Sequence, residues 1–276
     1  MVQSLLAPLF MMAATAGTAT APDGVRIHYE TTGTGRPAMV LVHCWTCDRG
    51  FWKDVVERFA RGRQVVTLDL AGHGRSGRTR KRYTMQSFGQ DVKAVADALK
   101  LDRMVLVGHS MGGQVILEAA RLLEDRVVGL VPVDTLLDVE QRDDPKETQA
   151  FLEKMQADFK GTANGFMREY MFVPTTPPAV IDRVMTAVTT FPPEIALSAL
   201  RENWSYDSAR GLEVVKVPIV AVNADKFPTN LAANRRHAPQ FDAVIMKGVG
   251  HYLMLEDPKR FGDHLEEALG KIGSKR

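Results

Sequence analysis

The stretch "VLVGHSMGGQVILEAA", residues 105–120, limits the fold more than any other. It opens on a continuous apolar run of the kind found in strands buried on both faces. Gly108-His109-Ser110-Met111-Gly112 follows, and then a helical pattern. A strand that turns directly into a helix crowds its backbone, so the positions flanking the turn must be small. Gly108 and Gly112 meet that demand. Strand, tight turn and helix in one run are the unit of a parallel sheet covered on both faces.

The same rhythm runs along the chain. Residues 25–30, 38–43, 64–70, 103–108, 127–134, 217–223 and 243–247 read as strands. Residues 50–60, 84–100 and 258–272 read as helices, and Phe88, Val92, Val95 and Leu99 fall on one helical stripe. The rhythm breaks between 136 and 212, where "KETQAFLEKMQADF" and "AVIDRVMTAVT" are separated by "PTTPP" and "FPPE". The expected architecture is α/β, with a mostly parallel central sheet flanked by helices. Its core comprises 21–135 and 213–276, with a helical cap over 136–212. That insertion falls at the carboxyl ends of the strands, where open α/β sheets bind ligands.

A chain of 276 residues with 45% hydrophobic content suits one compact domain with an inserted subdomain. Its 35 basic and 33 acidic side chains give no reason to expect a nucleic acid partner. Residues 1–20 are leader-like: an apolar run from Leu5 to Thr15, then small residues in A-x-A arrangements. No Lys or Arg precedes the run, which is also too short to span a bilayer. A signal peptide would place the protein in the periplasm or outside the cell. An apolar arm packed on the domain is the other reading and would leave it in the cytoplasm.

Ser110 sits where a helix amino terminus directs partial positive charge at developing negative charge. A nucleophilic serine needs a base. His251 in "GVGHYLMLEDPKRF" follows the last strand. His109, inside the turn, points away from the serine; His73 is in a turn; His28, His237 and His264 lie on a strand or helices. The base needs an orienting carboxylate. Asp225, after the strand before the last, is the first choice, and Asp134, at the end of "GLVPVD", is its rival.

Taken together, "VHCW", "DLAGHGRSG", "GHSMGG" and "GHYLMLEDP" resemble the motifs of the α/β-hydrolase superfamily, in particular its small capped bacterial serine esterases. The resemblance covers residues from about 22 to 272. It implies a catalytic triad of Ser110, His251 and Asp225, and an oxyanion hole from the N–H groups of Trp45 and Met111. On the residues themselves, Trp45, Phe51, Phe166, Met167, Met171 and Phe191 read as walls for substrate, and equally as packing of the cap. The implied reaction is cleavage of a carboxylic ester through an acyl-enzyme, without cofactor or metal, in a monomer or homodimer. Lactone and C–C bond hydrolysis use the same triad, and a slow-turnover ligand sensor would keep it.

Two stretches stand apart. Cys44 occupies the position where the family has glycine, and with Cys47 it makes a C-x-x-C pair. No thioredoxin framework or second Cys pair accompanies it, which reads against a redox or zinc role. Export would permit a local disulfide, though one within so tight a loop runs against usual geometry, and Cys47 reads most simply as a small buried apolar residue. "RSGRTRKR", residues 75–82, reads as a solvated basic loop.

Overall fold

The computed structural model describes residues 14–142 and 144–274. The apolar run from Leu5 lies almost wholly outside them. Strands β1 (Thr15–Thr20), β2 (Arg26–Thr32) and β3 (Ala38–Val42) open the chain. Helix α1 (Lys53–Phe59), β4 (Val65–Leu68), α2 (Met85–Ala98), β5 (Met104–His109), α3 (Met111–Leu123) and β6 (Val127–Val133) continue the alternation. Five helices then follow without a strand: α4 (Pro145–Ala157), α5 (Phe159–Tyr170), α6 (Pro178–Thr190), α7 (Pro193–Trp204) and α8 (Ser208–Glu213). The chain closes with β7 (Ile219–Ala224), α9 (Leu231–His237), β8 (Phe241–Met246), α10 (Leu253–Glu256) and α11 (Pro258–Ser274).

The strands form one sheet in the order β1-β2-β4-β3-β5-β6-β7-β8. β2 pairs antiparallel with β1 and β4; every other pairing is parallel. Successive side chains leave a strand on opposite faces, and β3 separates two cores accordingly. Val40 and Val42 join Leu68, Leu106 and the α2–α3 residues Phe88, Val92 and Ile116. Met39 and Leu41 join Val105, Val131 and Val220 under Trp52, Phe261 and Leu265. Each of the large side chains contributes roughly 1.5–3 kcal/mol by leaving water.

Two expectations from the sequence change. Residues 15–20 are not outside the domain: they form the edge strand, with Thr15 opposite Thr31 and Thr20 opposite Arg26. β-branched threonines suit such a strand. Gly17 lies under Tyr29, whose ring would meet an added Cβ at 2.4 Å. Nor is "RSGRTRKR" wholly solvated. Arg80 is buried between Asp91 (2.6 Å) and Asp23 (2.7 Å). Burial works to lower its pKa, but the hydrogen bonds to both carboxylates prevail and raise it.

The first helix of the insertion starts at Pro145, with Asp144 accepting from the Lys146 N–H as a cap. "PTTPP" and "FPPE" place Pro178 and Pro193 at the first positions of α6 and α7, where a missing N–H costs nothing. Bonds from several core loops help seat the insertion on the carboxyl ends of the sheet. Trp45 Nε1 donates to Ala196 O (2.8 Å), Arg183 to Gly50 O (2.7 Å), and the His251 N–H to Met171 O (2.8 Å).

Candidate active site

Ser110 lies between β5 and α3 with φ 54° and ψ −120°, a conformation that costs a non-glycine residue about 1–3 kcal/mol. Close packing holds it there. A Cβ on Gly108 would fall 2.2 Å from Gly112 O, and one on Gly112 2.6 Å from Val42 O. The Ser110 N–H bonds to Val133 O at 2.9 Å, which fastens the turn to β6. Its hydroxyl makes no hydrogen bond among the described residues.

His251 lies on the loop between β8 and α10, and its backbone is held from both sides. Its N–H donates to Met171 O, and its carbonyl accepts from His109 Nε2 at 2.8 Å. The two imidazole rings are 4.7 Å apart, so the residue preceding Ser110 packs directly on His251. Burial, and then the neighbouring His251, push the His109 pKa well down, which keeps it a neutral donor. Glu256 supports the same loop: it accepts from the Gly250 N–H (2.9 Å), the Tyr252 N–H (3.3 Å) and the Thr176 hydroxyl (2.9 Å). Sequence reasoning missed both His109 and Glu256 as supports, since their bonds span the turn, the loop and the insertion.

The carboxylate beside the imidazole is Asp134, not Asp225. Asp134 Oδ2 lies 2.6 Å from His251 Nδ1. A carboxylate can only accept, so Nδ1 carries the proton and Nε2 is left as the acceptor nitrogen. Asp134 sits just past β6 with φ 44°, a left-handed conformation that Asp tolerates. Its N–H bonds to Val222 O and its Oδ1 takes the Ala224 N–H at 2.8 Å. Asp225 is exposed, and its Oδ1 takes the Gly248 N–H at 2.8 Å. β6 lies between β5 and β7 in the sheet, so the strand end beside Ser110 carries the carboxylate that reaches His251.

The loop after β3 reaches the same end of the sheet. Cys44 and Cys47 form a disulfide, with Cα atoms 5.3 Å apart, so Cys47 is not a free apolar side chain. Between them Thr46 has φ 58°, strained for a β-branched residue. His43 Nδ1 donates to Cys44 O at 2.8 Å while its Nε2 accepts from the Leu70 N–H. Neither the Trp45 N–H nor the Met111 N–H is tied into a hydrogen bond among the described residues.

The expected pocket walls fare unevenly. Trp45 packs edge-on to Phe159, and Phe51 lies beside Tyr252 with Arg183 over its ring. Phe166 belongs to an aromatic group with Phe151, Tyr170 and Trp204 inside the insertion. Met167 is buried, Met171 presents its carbonyl to His251, and Phe191 stacks near His73. A cleft of about 800 Å³ is lined by none of these six. It runs from Asp134, Thr135 and Gln114 to Leu152, Arg201 and Trp204.

A mostly parallel sheet with a strained serine at one strand end and a carboxylate-bound imidazole packed on the preceding residue defines a hydrolase of the α/β type. The chain belongs to the alpha/beta hydrolase family, whose model matches residues 39–264. It is 27% identical over 248 residues to the pimeloyl-[acyl-carrier protein] methyl ester esterase of Nitrosomonas europaea, covering 85% of this chain and 96% of that one. It is 34% identical over 120 residues to a non-heme haloperoxidase of Rhodococcus erythropolis, 41% of this chain and 43% of that one; the chain thus spans less than half the length of that relative. A thermophilic esterase from Thermogutta terrifontis, solved with malate bound, superposes with a TM-score of 0.80 at 27% identity, over 94% of this chain and 99% of the other. Among the described residues no helix is long and apolar enough to cross a membrane.

Proposed function

We propose that this chain is a serine hydrolase that cleaves carboxylic esters of small molecules through an acyl-enzyme. The observation that carries the reading is the 2.6 Å bond between Asp134 and His251, made beside a serine held in a strained turn. Ser110 attacks the acyl carbon while His251 Nε2 takes its proton. Asp134 fixes the tautomer and stabilises the imidazolium. The tetrahedral oxyanion lies between the Trp45 and Met111 N–H groups, with the positive end of α3 behind it. The imidazolium returns its proton to the leaving alcohol, and a water activated by the same nitrogen releases the acid. The similarity to two esterases supports an ester substrate.

Hydrolysis of p-nitrophenyl butyrate by wild type and Ser110→Ala tests the proposal. Multiple turnover by wild type, reduced by roughly 10³-fold or more in the variant, is the expected result. Turnover by Ser110→Ala close to that of wild type would remove it.

A further inference from the structure

We propose that the Cys44–Cys47 disulfide is a positioning element for the reaction. It holds the Trp45 N–H where the oxyanion forms, so that opening it lowers turnover while the fold persists. The inference rests on the hydrolase reading above.

Four observations meet at this loop. The disulfide closes a ring of four residues around Trp45 and Thr46. The ring contains no glycine, yet Thr46 is held at φ 58°. The Trp45 N–H lies one peptide unit earlier, in the Cys44–Trp45 unit, and follows when an uncrosslinked loop relaxes that strain by rotating the two units that flank Thr46. Hydrogen bonds alone restrain Thr46 and Cys47 weakly. The Cys47 N–H reaches Cys44 O only at 3.3 Å, and the Thr46 hydroxyl spends itself on Trp45 O. The firm anchors lie on the amino-terminal side: His43 holds Cys44 O, in the same peptide unit as the Trp45 N–H, and the Trp45 indole holds Ala196 O on α7. The covalent link ties the Thr46–Cys47 end of the loop to that anchored unit and keeps its relaxation from turning the Trp45 N–H. An oxyanion donor acts only if it sits about 3 Å from the developing charge, so a rotation of tens of degrees here removes it.

The opening step is thiol–disulfide exchange. A dithiol such as dithiothreitol attacks one sulfur, and the Cys44–Cys47 bond breaks. Two electrons pass from the reductant, whose own sulfurs join as a ring, and its two protons end on the Cys44 and Cys47 thiols. Both cysteines are only 2–3% exposed, so the exchange waits on loop opening, and a variant that cannot form the bond belongs beside it.

The test compares oxidised wild type, dithiothreitol-treated wild type and Cys47→Ala, with thiols counted by alkylation and mass. For each, kcat and KM for p-nitrophenyl butyrate are measured, together with Ki for a trifluoromethyl ketone. That inhibitor forms an oxyanion on the serine, so a donor out of place weakens it, whereas a merely smaller folded fraction does not. The expected result is no free thiol in the oxidised protein. Cys47→Ala should lose about tenfold or more in kcat, with KM within about twofold and Ki raised by a factor similar to the kcat loss. Any thiol-verified reduced protein should match it, and all forms should melt cooperatively. Free thiols in the protein as purified, or kcat and Ki unchanged in Cys47→Ala, would overturn the proposal. Oxidised Ser110→Ala, run alongside, separates the two claims: if it turns over like wild type, the hydrolase reading has failed; if it is inactive while Cys47→Ala is normal, only the disulfide proposal has.

Discussion

Asp134 Oδ2 lies 2.6 Å from His251 Nδ1, across 117 positions of sequence. The same carboxylate takes the Ala224 N–H through its other oxygen, so it is fixed to β7 before it meets the imidazole. Asp134→Asn should therefore lower kcat by about 10³–10⁴-fold, since an amide can donate to Nδ1 and stabilise the wrong tautomer. Asp225→Asn should stay within a few-fold of wild type, because the carboxamide oxygen can still accept from Gly248. Steady-state kinetics on both variants decide the matter; a crippled Asp225→Asn beside an active Asp134→Asn would reverse the assignment.

Glu256 braces the His251 loop through three accepted hydrogen bonds. Glu256→Gln replaces one acceptor oxygen by a donor that faces N–H or O–H groups already donating. Leaving such groups unpaired costs about 1–3 kcal/mol. The variant should melt several degrees lower and lose about tenfold in kcat, because His251 is carried on that loop. A melting temperature and kcat equal to wild type would show that the brace is dispensable.

Much of this was readable from the residues, and the parts that were not share a cause. The turn at Ser110, the strands and the insertion announce themselves through local pattern, because each is set by neighbours in sequence. Asp134 and Asp225 both follow a strand and both precede His251, so chain order cannot choose between them. The choice is made by which strand lies beside β5, a long-range property. Arg80 reads as one charge of a basic run until Asp91 and Asp23 arrive from other segments. The Thr15–Thr20 strand is similar: small residues after an apolar run read as the end of a leader, and the ladder with β2, with the Tyr29 ring over Gly17, gives them a place in the sheet. Pocket walls were the least readable, since Phe166 could as well line a cleft as pack against Trp204.

Stability should fall as the pH drops below about 6.5, the ordinary histidine value. Burial is the first cause lowering the pKa of His43, His73 and His109 alike, so all three stay neutral in the folded protein. The unfolded chain binds those protons and the folded one does not, so the stability present above pH 6.5 is lost with acid. Two groups oppose this. Burial raises Asp91 to about 6, which makes stability fall as pH rises from about 4 towards that value. His237, paired with Glu213 and Glu140 at the surface, is raised, but solvent screens it. Three buried imidazoles should prevail, and the melting temperature should be lower at pH 5.5 than at pH 7.5. An equal or higher value at pH 5.5 would contradict the burial argument.

Covalent labelling tests the central claim most directly. A fluorophosphonate reacts only with a serine whose hydroxyl is activated by a base and whose adduct finds an oxyanion site. Intact mass followed by peptide mapping should give one adduct per chain, on Ser110, with esterase turnover falling in step with labelling. Full turnover after stoichiometric labelling, or an adduct on any other residue, would contradict the account.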